Sequence, residues 1–121
     1  MQEQLLVSVL SDLNSSSADI TASAVISSDG LPVATLLPNG VDPDRVGAMA
    51  AALLALGNRT SRELQCDELE QVMVKGKHGY ILLIQAGDTN VLAVTANEGA
   101  KLGLILLDAR RAARSMWIFL R

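Results

Sequence analysis

The sequence predicts an α/β fold, an α+β sandwich in which one five-stranded antiparallel sheet carries helices on both faces. Three observations predict it. Apolar residues at helical spacing mark three segments, and alternating or continuous apolar runs mark strands between them. These segments follow in the order helix, hairpin, helix, three-strand meander, helix, with no repeat, low-complexity tract or linker. A five-stranded antiparallel sheet with helices on both faces buries every apolar stripe so defined.

The first helix rests on Leu5, Leu6, Val9, Leu10 and Leu13, with polar residues between them, and Asn14-Ser15-Ser16-Ser17 ends it. Ile20, Ala22, Ala24 and Ile26 then alternate with Thr21, Ser23 and Ser27, the pattern of a strand with one wet face. Asp29-Gly30 is a two-residue hairpin signal, and Leu31 to Leu37 returns as the second strand. Pro32 near its start favours an edge position, because proline cannot donate to a ladder. Pro38-Asn39-Gly40 loops into the second helix.

That helix, Asp42 to Gln65, is the most informative stretch. Asp42 suits the N-cap, Pro43 the first helical position and Asp44 the positive end of the dipole. At 100° per residue, Val46, Met49, Ala50, Leu53, Gly57, Thr60 and Leu64 gather on one face, expected to rest on the sheet. The opposite face carries Ala48, Ala51, Ala52 and Ala55, continued by Asn58, Arg59 and Arg62. A surface helix is normally polar there. An alanine seam lets a second helix approach closely, so this face is expected to meet a partner copy.

Glu68 to Lys75 reads as the third strand and Gly76-Lys77-His78-Gly79 as a turn. Tyr80 to Ala86 is apolar on both faces, as a covered central strand would be. Gly87-Asp88-Thr89-Asn90 turns into Val91 to Thr95. Asn97 is expected to cap the last helix, with Glu98 in its first turn. The core face of that helix is Leu102, Ile105, Leu106, Ala109, Ala112, Ala113, Met116 and Leu120. Leu104, Leu107 and Ile118 lie opposite, where packing on the first helix is expected and a docking patch is the alternative.

Composition narrows the function. The 121 residues predict a single domain, 1–121, and a chain of this size buries roughly two-thirds of its unfolded surface. Half of it is hydrophobic, yet Trp117, Tyr80 and Phe119 are the only aromatics, so the core is aliphatic and base-stacking rings are scarce. A net charge of −3 also argues against nucleic acid. Arg110, Arg111 and Arg114 suit the negative end of a helix better than a phosphate site. One cysteine, Cys66, excludes an internal disulfide and a multi-cysteine zinc site, and an inert thiol is expected. No signal peptide and no run of ~20 apolar residues is visible, so a cytoplasmic setting without direct membrane insertion follows.

A family resemblance emerges from the motifs taken together. Ser27-Ser28-Asp29-Gly30-Leu31-Pro32-Val33-Ala34 is followed by Leu69-Glu70-Gln71-Val72-Met73-Val74-Lys75-Gly76. Then come Gly79-Tyr80-Ile81-Leu82-Leu83, Leu92-Ala93-Val94, Ala100-Lys101-Leu102-Gly103-Leu104 and Arg110-Arg111-Ala112-Ala113. In this order the chain resembles the roadblock family, the roadblock-type dynein light chains and bacterial regulators of Ras-like GTPases. It looks most like the small single-domain bacterial members. The resemblance implies sheet order 2-1-5-4-3, with one helix on one face and two on the other, and a homodimer whose third strands pair across the two-fold, the second helices lying antiparallel on one face and the first and third covering the other. It implies an interface containing Ala48, Ala51, Ala52, Ala55, Arg59, Arg62, Leu69, Gln71, Val72 and Met73. It also implies a small Ras-like GTPase as partner, for which Arg45, Asn58, Arg59 and Arg62 are the candidate contacts, with solvent-facing or dimer-rim arginines as the alternative.

No chemistry of the chain's own is expected. Gly76-Lys77 lacks the leading glycine and the Ser or Thr of a phosphate loop. His78 is a solvated turn residue with no second histidine or cysteine pair to complete a metal site, and no nucleophile elbow is present. Asp42 and Asp44 are helix-start residues, and Glu68 and Glu70 share one solvated or interfacial strand face. Asn58-Arg59-Thr60 matches a glycosylation sequon but lies within a helix. The reading is therefore a non-catalytic dimeric regulator without cofactor or metal. A structural adaptor is the alternative, and a small ligand sensor the weakest third.

Overall fold

The computed structural model describes residues 2–120. The elements are α1 (Gln2–Ser16), β1 (Ile20–Ser27), β2 (Pro32–Leu36), α2 (Pro43–Glu63), β3 (Gln71–Gly76), β4 (Gly79–Gln85), β5 (Asn90–Asn97) and α3 (Leu102–Met116). The five strands form one sheet in the order β2-β1-β5-β4-β3, each neighbouring pair antiparallel. α1 and α3 cover one face and α2 crosses the other. The expected architecture and strand order are both present, with Pro32 on the edge strand β2.

The main core lies between the α1–α3 layer and the sheet. Leu6, Leu10 and Leu13 of α1 meet Ile105, Ala109 and Met116 of α3 over Val25, Leu82, Leu92 and Val94. Leu6 and Leu10 are fully buried, each contributing ~1.5–3 kcal/mol of transfer free energy. The second core, under α2, is smaller: Ala24, Ile26, Ala50, Leu83, Val91 and Ala93, flanked by Leu37, Leu54 and Val72.

Local chemistry explains the element ends. Asp42 Oδ1 accepts the Asp44 N–H at 2.9 Å and Pro43 begins α2. α2 stops at Glu63, not Gln65, because Gln65 and Asp67 adopt φ of 65° and 69°, left-handed values that no helix continues. The β3–β4 turn is Lys77-His78, between strands whose last pair is Gly76 with Gly79.

Several expectations need correction. The first hairpin is not a two-residue loop. Gly30 N–H donates to the Ser27 carbonyl at 2.9 Å, and Ser27 N–H to the Leu31 carbonyl at 2.8 Å. Gly30 has φ +86°, so the loop is the three-residue form, a turn closed by a left-handed glycine bulge. β1 has no wet face on the Ser23 side, because Ser23 is buried beneath α1 and its hydroxyl donates to Asn14 Oδ1 at 2.8 Å. That bond also carries α1 past Asn14 to Ser16. β3 begins at Gln71, later than expected. Asn97 ends β5, its N–H donating to the Asp19 carbonyl at 2.8 Å, while α3 starts at Leu102 behind Lys101 without a side-chain cap.

Candidate interaction surface

α2 is turned on the sheet by somewhat less than one residue step, about 100°, from the expected orientation. Gly47 and Ala50 are buried against the sheet, and Leu54, Gly57, Asn58 and Ser61 continue that line half-buried. The expected sheet face is therefore corrected. Met49, Leu53, Leu56 and Leu64 are exposed, at 59%, 38%, 63% and 72%. The cause is close approach. A methyl at Gly47 would strike the Gly30 carbonyl, and one at Gly57 would come within 3.0 Å of Val72 Cγ2. Small residues bring this helix down onto the sheet, and the larger apolar ones are left on its flank.

Ala48, Ala52, Ala55, Arg59 and Arg62 are exposed, whereas Ala51 and Asn58 are half-buried. Asn58 Oδ1 accepts the Leu69 N–H at 3.4 Å, which turns the amide inward, away from the outer face. Arg45 is exposed in the first turn. Arg59 Nε lies 3.3 Å from Glu63 Oε1, one turn on, with both side chains largely in solvent. Such a pair is worth only ~0.3–0.5 kcal/mol and leaves the guanidinium available.

A cavity of about 390 Å³ opens beside the N-terminal half of α2. Its walls are Val46, Met49 and Leu53 of the helix, Leu37 and Val41 of the preceding loop, and Ile81, Ala93 and Thr95 of the sheet. On the opposite flank a more polar hollow of about 350 Å³ is lined by Asn58, Arg62, Glu68, Glu70 and Gln85. The apolar groove and the exposed flank above it were missed in the sequence. Gly47, Ala50 and Gly57, three small residues at helical spacing, were the signal that could have located the true sheet face.

β3 forms one edge of the sheet, hydrogen-bonded to β4 alone among the described strands. Met73 is exposed on it, Gln71 and Val72 are half-buried, and Leu69 packs beneath Gly57. Gln71 is already engaged, since Arg110 Nη2 donates to its Oε1 at 2.6 Å. An uncovered edge beside an apolar helix flank forms a continuous surface able to accept a strand and a helix together.

Elsewhere the surface offers little chemistry. His78 Nδ1 lies 3.8 Å from Glu98 Oε2, both exposed. Cys66 is exposed and free. Among the described residues no three His, Cys, Asp or Glu side chains converge as metal ligands, and no helix is long and apolar enough to cross a membrane.

Comparison with known proteins agrees with this fold. The family profile described as Roadblock/LC7 domain matches residues 6–96. A protein of Methanocaldococcus jannaschii, described only as uncharacterized, is 40% identical over 113 residues, covering 93% of this chain and 94% of its own length. Among solved structures, a Roadblock/LC7 domain from Streptomyces avermitilis superposes with a TM-score of 0.88 at 22% identity, over 94% of this chain and 96% of that one. A structure described as MglB with tetrameric arrangement gives 0.89 at 19% identity, over 98% and 90%. At these identities the likeness of the solved structures is one of fold.

Proposed function

The chain belongs to the Roadblock/LC7 domain family, and from that membership we propose that it acts as a non-catalytic homodimeric regulator of a small Ras-like GTPase in the cytoplasm. The carrying observation is the exposed apolar flank of α2 beside the open β3 edge. In this reading the 121-residue chain works as one domain, and β3 pairs antiparallel with its twin through Leu69, Gln71, Val72 and Met73. The two α2 helices pack through Ala48, Ala51, Ala52 and Ala55, with Arg59 and Arg62 at the rim. Met49, Leu53 and Leu56 extend that contact, and the partner's helix fills the groove over Ile81 and Thr95. The exposed arginines of the helix pair, Arg45, Arg59 and Arg62, then face the switch regions of the GTPase, with Asn58 holding the helix to Leu69 beneath them.

Two measurements test this reading. Light scattering across a wide concentration range is expected to give twice the mass of one 12.8 kDa chain. GTP turnover by a candidate Ras-like GTPase, with and without the dimer, is expected to change. Binding without any change in turnover would favour a structural adaptor using the same surface. No binding in either nucleotide state would end the GTPase reading.

A further inference from the structure

We propose that the outer face of α3 is a docking surface for anionic membrane, on which the protein lies peripherally at headgroup depth. Charge is the first observation. Half of the ten Lys and Arg residues fall within 101–121, beside a single carboxylate, Asp108, in a chain whose net charge is −3. The rest of the molecule is therefore strongly acidic, and three of its cations, Arg110, Arg111 and Arg114, fall close together on α3.

Placement is the second. α3 turns Ile105, Ala109, Ala112, Ala113 and Met116 into the core. Its opposite face carries Leu104, Leu107, Arg111 and Arg114, with Ile118 just past the last turn. Leu104, Leu107 and Ile118 are 57%, 53% and 70% exposed, so they do not pack on α1 as their spacing suggested. Asp108 sits on the α1 side, accepting the Ser16 hydroxyl at 3.4 Å, and with Asp12 borders the groove that Arg111 flanks. No carboxylate among the described residues pairs with Arg110 or Arg114. Helix-dipole compensation accounts for Arg114 alone, since that effect falls off within the last turn and Arg110 and Arg111 lie before it.

Leucine and isoleucine interleaved with arginine along one exposed helix face, where Asp108 Oδ1 at 3.9 Å from Arg111 Nη1 is the one paired carboxylate among the described residues, is the chemistry of an interfacial helix. The apolar tips enter the headgroup–acyl boundary while the guanidinium groups stay with the phosphates. Exposed Trp117 at the helix end suits the same depth. Each arginine near an anionic surface strengthens adsorption about five-fold. If β3 pairs antiparallel as proposed above, the dyad is normal to the sheet and both α3 helices stand on one face, opposite α2. That bivalency alone rests on the dimer reading; the adsorption does not.

The test is co-sedimentation of the full chain with vesicles of phosphatidylcholine containing 30% phosphatidylserine, against pure phosphatidylcholine. Binding is expected only to the anionic vesicles, with release at 0.5 M NaCl. Trp117 is the only tryptophan, so its emission should shift to the blue on binding. The pair Arg111→Gln and Arg114→Gln should weaken binding about thirty-fold, and Leu107→Ser with Ile118→Ser should remove the emission shift. Lys77→Gln, an exposed cation in the β3–β4 turn and away from α3, should bind as the parent does. A chain that ignores both vesicle types overturns the proposal and leaves the patch to an acidic protein partner. Equal binding to both vesicles, or unimpaired binding by the α3 variants, overturns it as well.

Discussion

Gly47 of α2 rests directly on the Gly30 carbonyl of the β1–β2 hairpin, and a methyl group at 47 would overlap that oxygen. Gly30 cannot move aside freely, because its φ of +86° closes the loop. This contact fixes how α2 is rotated, and therefore which side chains remain on its exposed flank. Gly47→Ala should destabilise the fold by at least ~1–3 kcal/mol through overpacking. Gly103→Ala, where an added methyl meets nothing within 4 Å, should be neutral or stabilise by up to about 1 kcal/mol. Urea denaturation of the two variants decides it, and equal midpoints would show that the contact does not constrain the helix.

The Asn14–Ser23 hydrogen bond gives a second test. Ser23 is 1% exposed and its hydroxyl relies on Asn14, whereas the Asn14 amide is only half-buried. Asn14→Ala strands a buried hydroxyl and should cost ~1–3 kcal/mol. Ser23→Ala leaves an amide that water can reach and should cost less. The double variant should recover part of the Asn14→Ala loss. A double variant as unstable as the sum of the singles would show the pair to be uncoupled.

These two contacts also mark where sequence reading stops. Element identity was legible because it is set by local chemistry: the Asp42-Pro43 helix start, the alternation of β1, the Asp29-Gly30 turn, the edge proline. Rotation and burial were not, because they depend on what lies across the interface. Met49 and Leu53 look like core residues by periodicity, yet Gly47 and Ala50 take the core because small side chains permit the closer approach. Ser23 looks wet until the Asn14 amide, nine residues earlier, is placed above it. Leu104 and Leu107 look like partners for α1, but α1 packs on the Asp108–Ala112 flank of α3 and leaves them outside. Leu69 and Gln71 were assigned to an interface by family resemblance alone, and their contacts with Gly57 and Arg110 could not be read from the chain.

Dimer formation through α2 predicts a clear response to charge. Leu56 is 63% exposed in the single chain, so Leu56→Glu should leave the fold of one copy intact. Across a two-fold the substitution enters the interface twice. Desolvated like charges cost several kcal/mol, so dissociation should strengthen at least ~100-fold. Light scattering would then give a single-chain mass at concentrations where the parent is dimeric. The exposed substitution Ser8→Glu on α1 should change nothing. A Leu56→Glu chain that keeps the parent's mass would move the interface elsewhere.

Arg59 offers a test of how the proposed GTPase partner would be affected. Its guanidinium is exposed and paired loosely with Glu63, so it is free to reach a nucleotide or merely to sit at the rim of the helix pair. A finger that stabilises the transferring phosphoryl group is worth about 10³–10⁵ in hydrolysis rate. In the proposed dimer the contact is broad, the helix pair orders the GTPase's own catalytic parts and no single cation dominates. Arg59→Ala should therefore lower stimulated turnover by less than about ten-fold, a rim contact's worth of ~1 kcal/mol or less. Single-turnover hydrolysis at saturating dimer isolates this from weakened binding. A loss approaching three orders of magnitude, with affinity unchanged, would make Arg59 a catalytic finger supplied in trans.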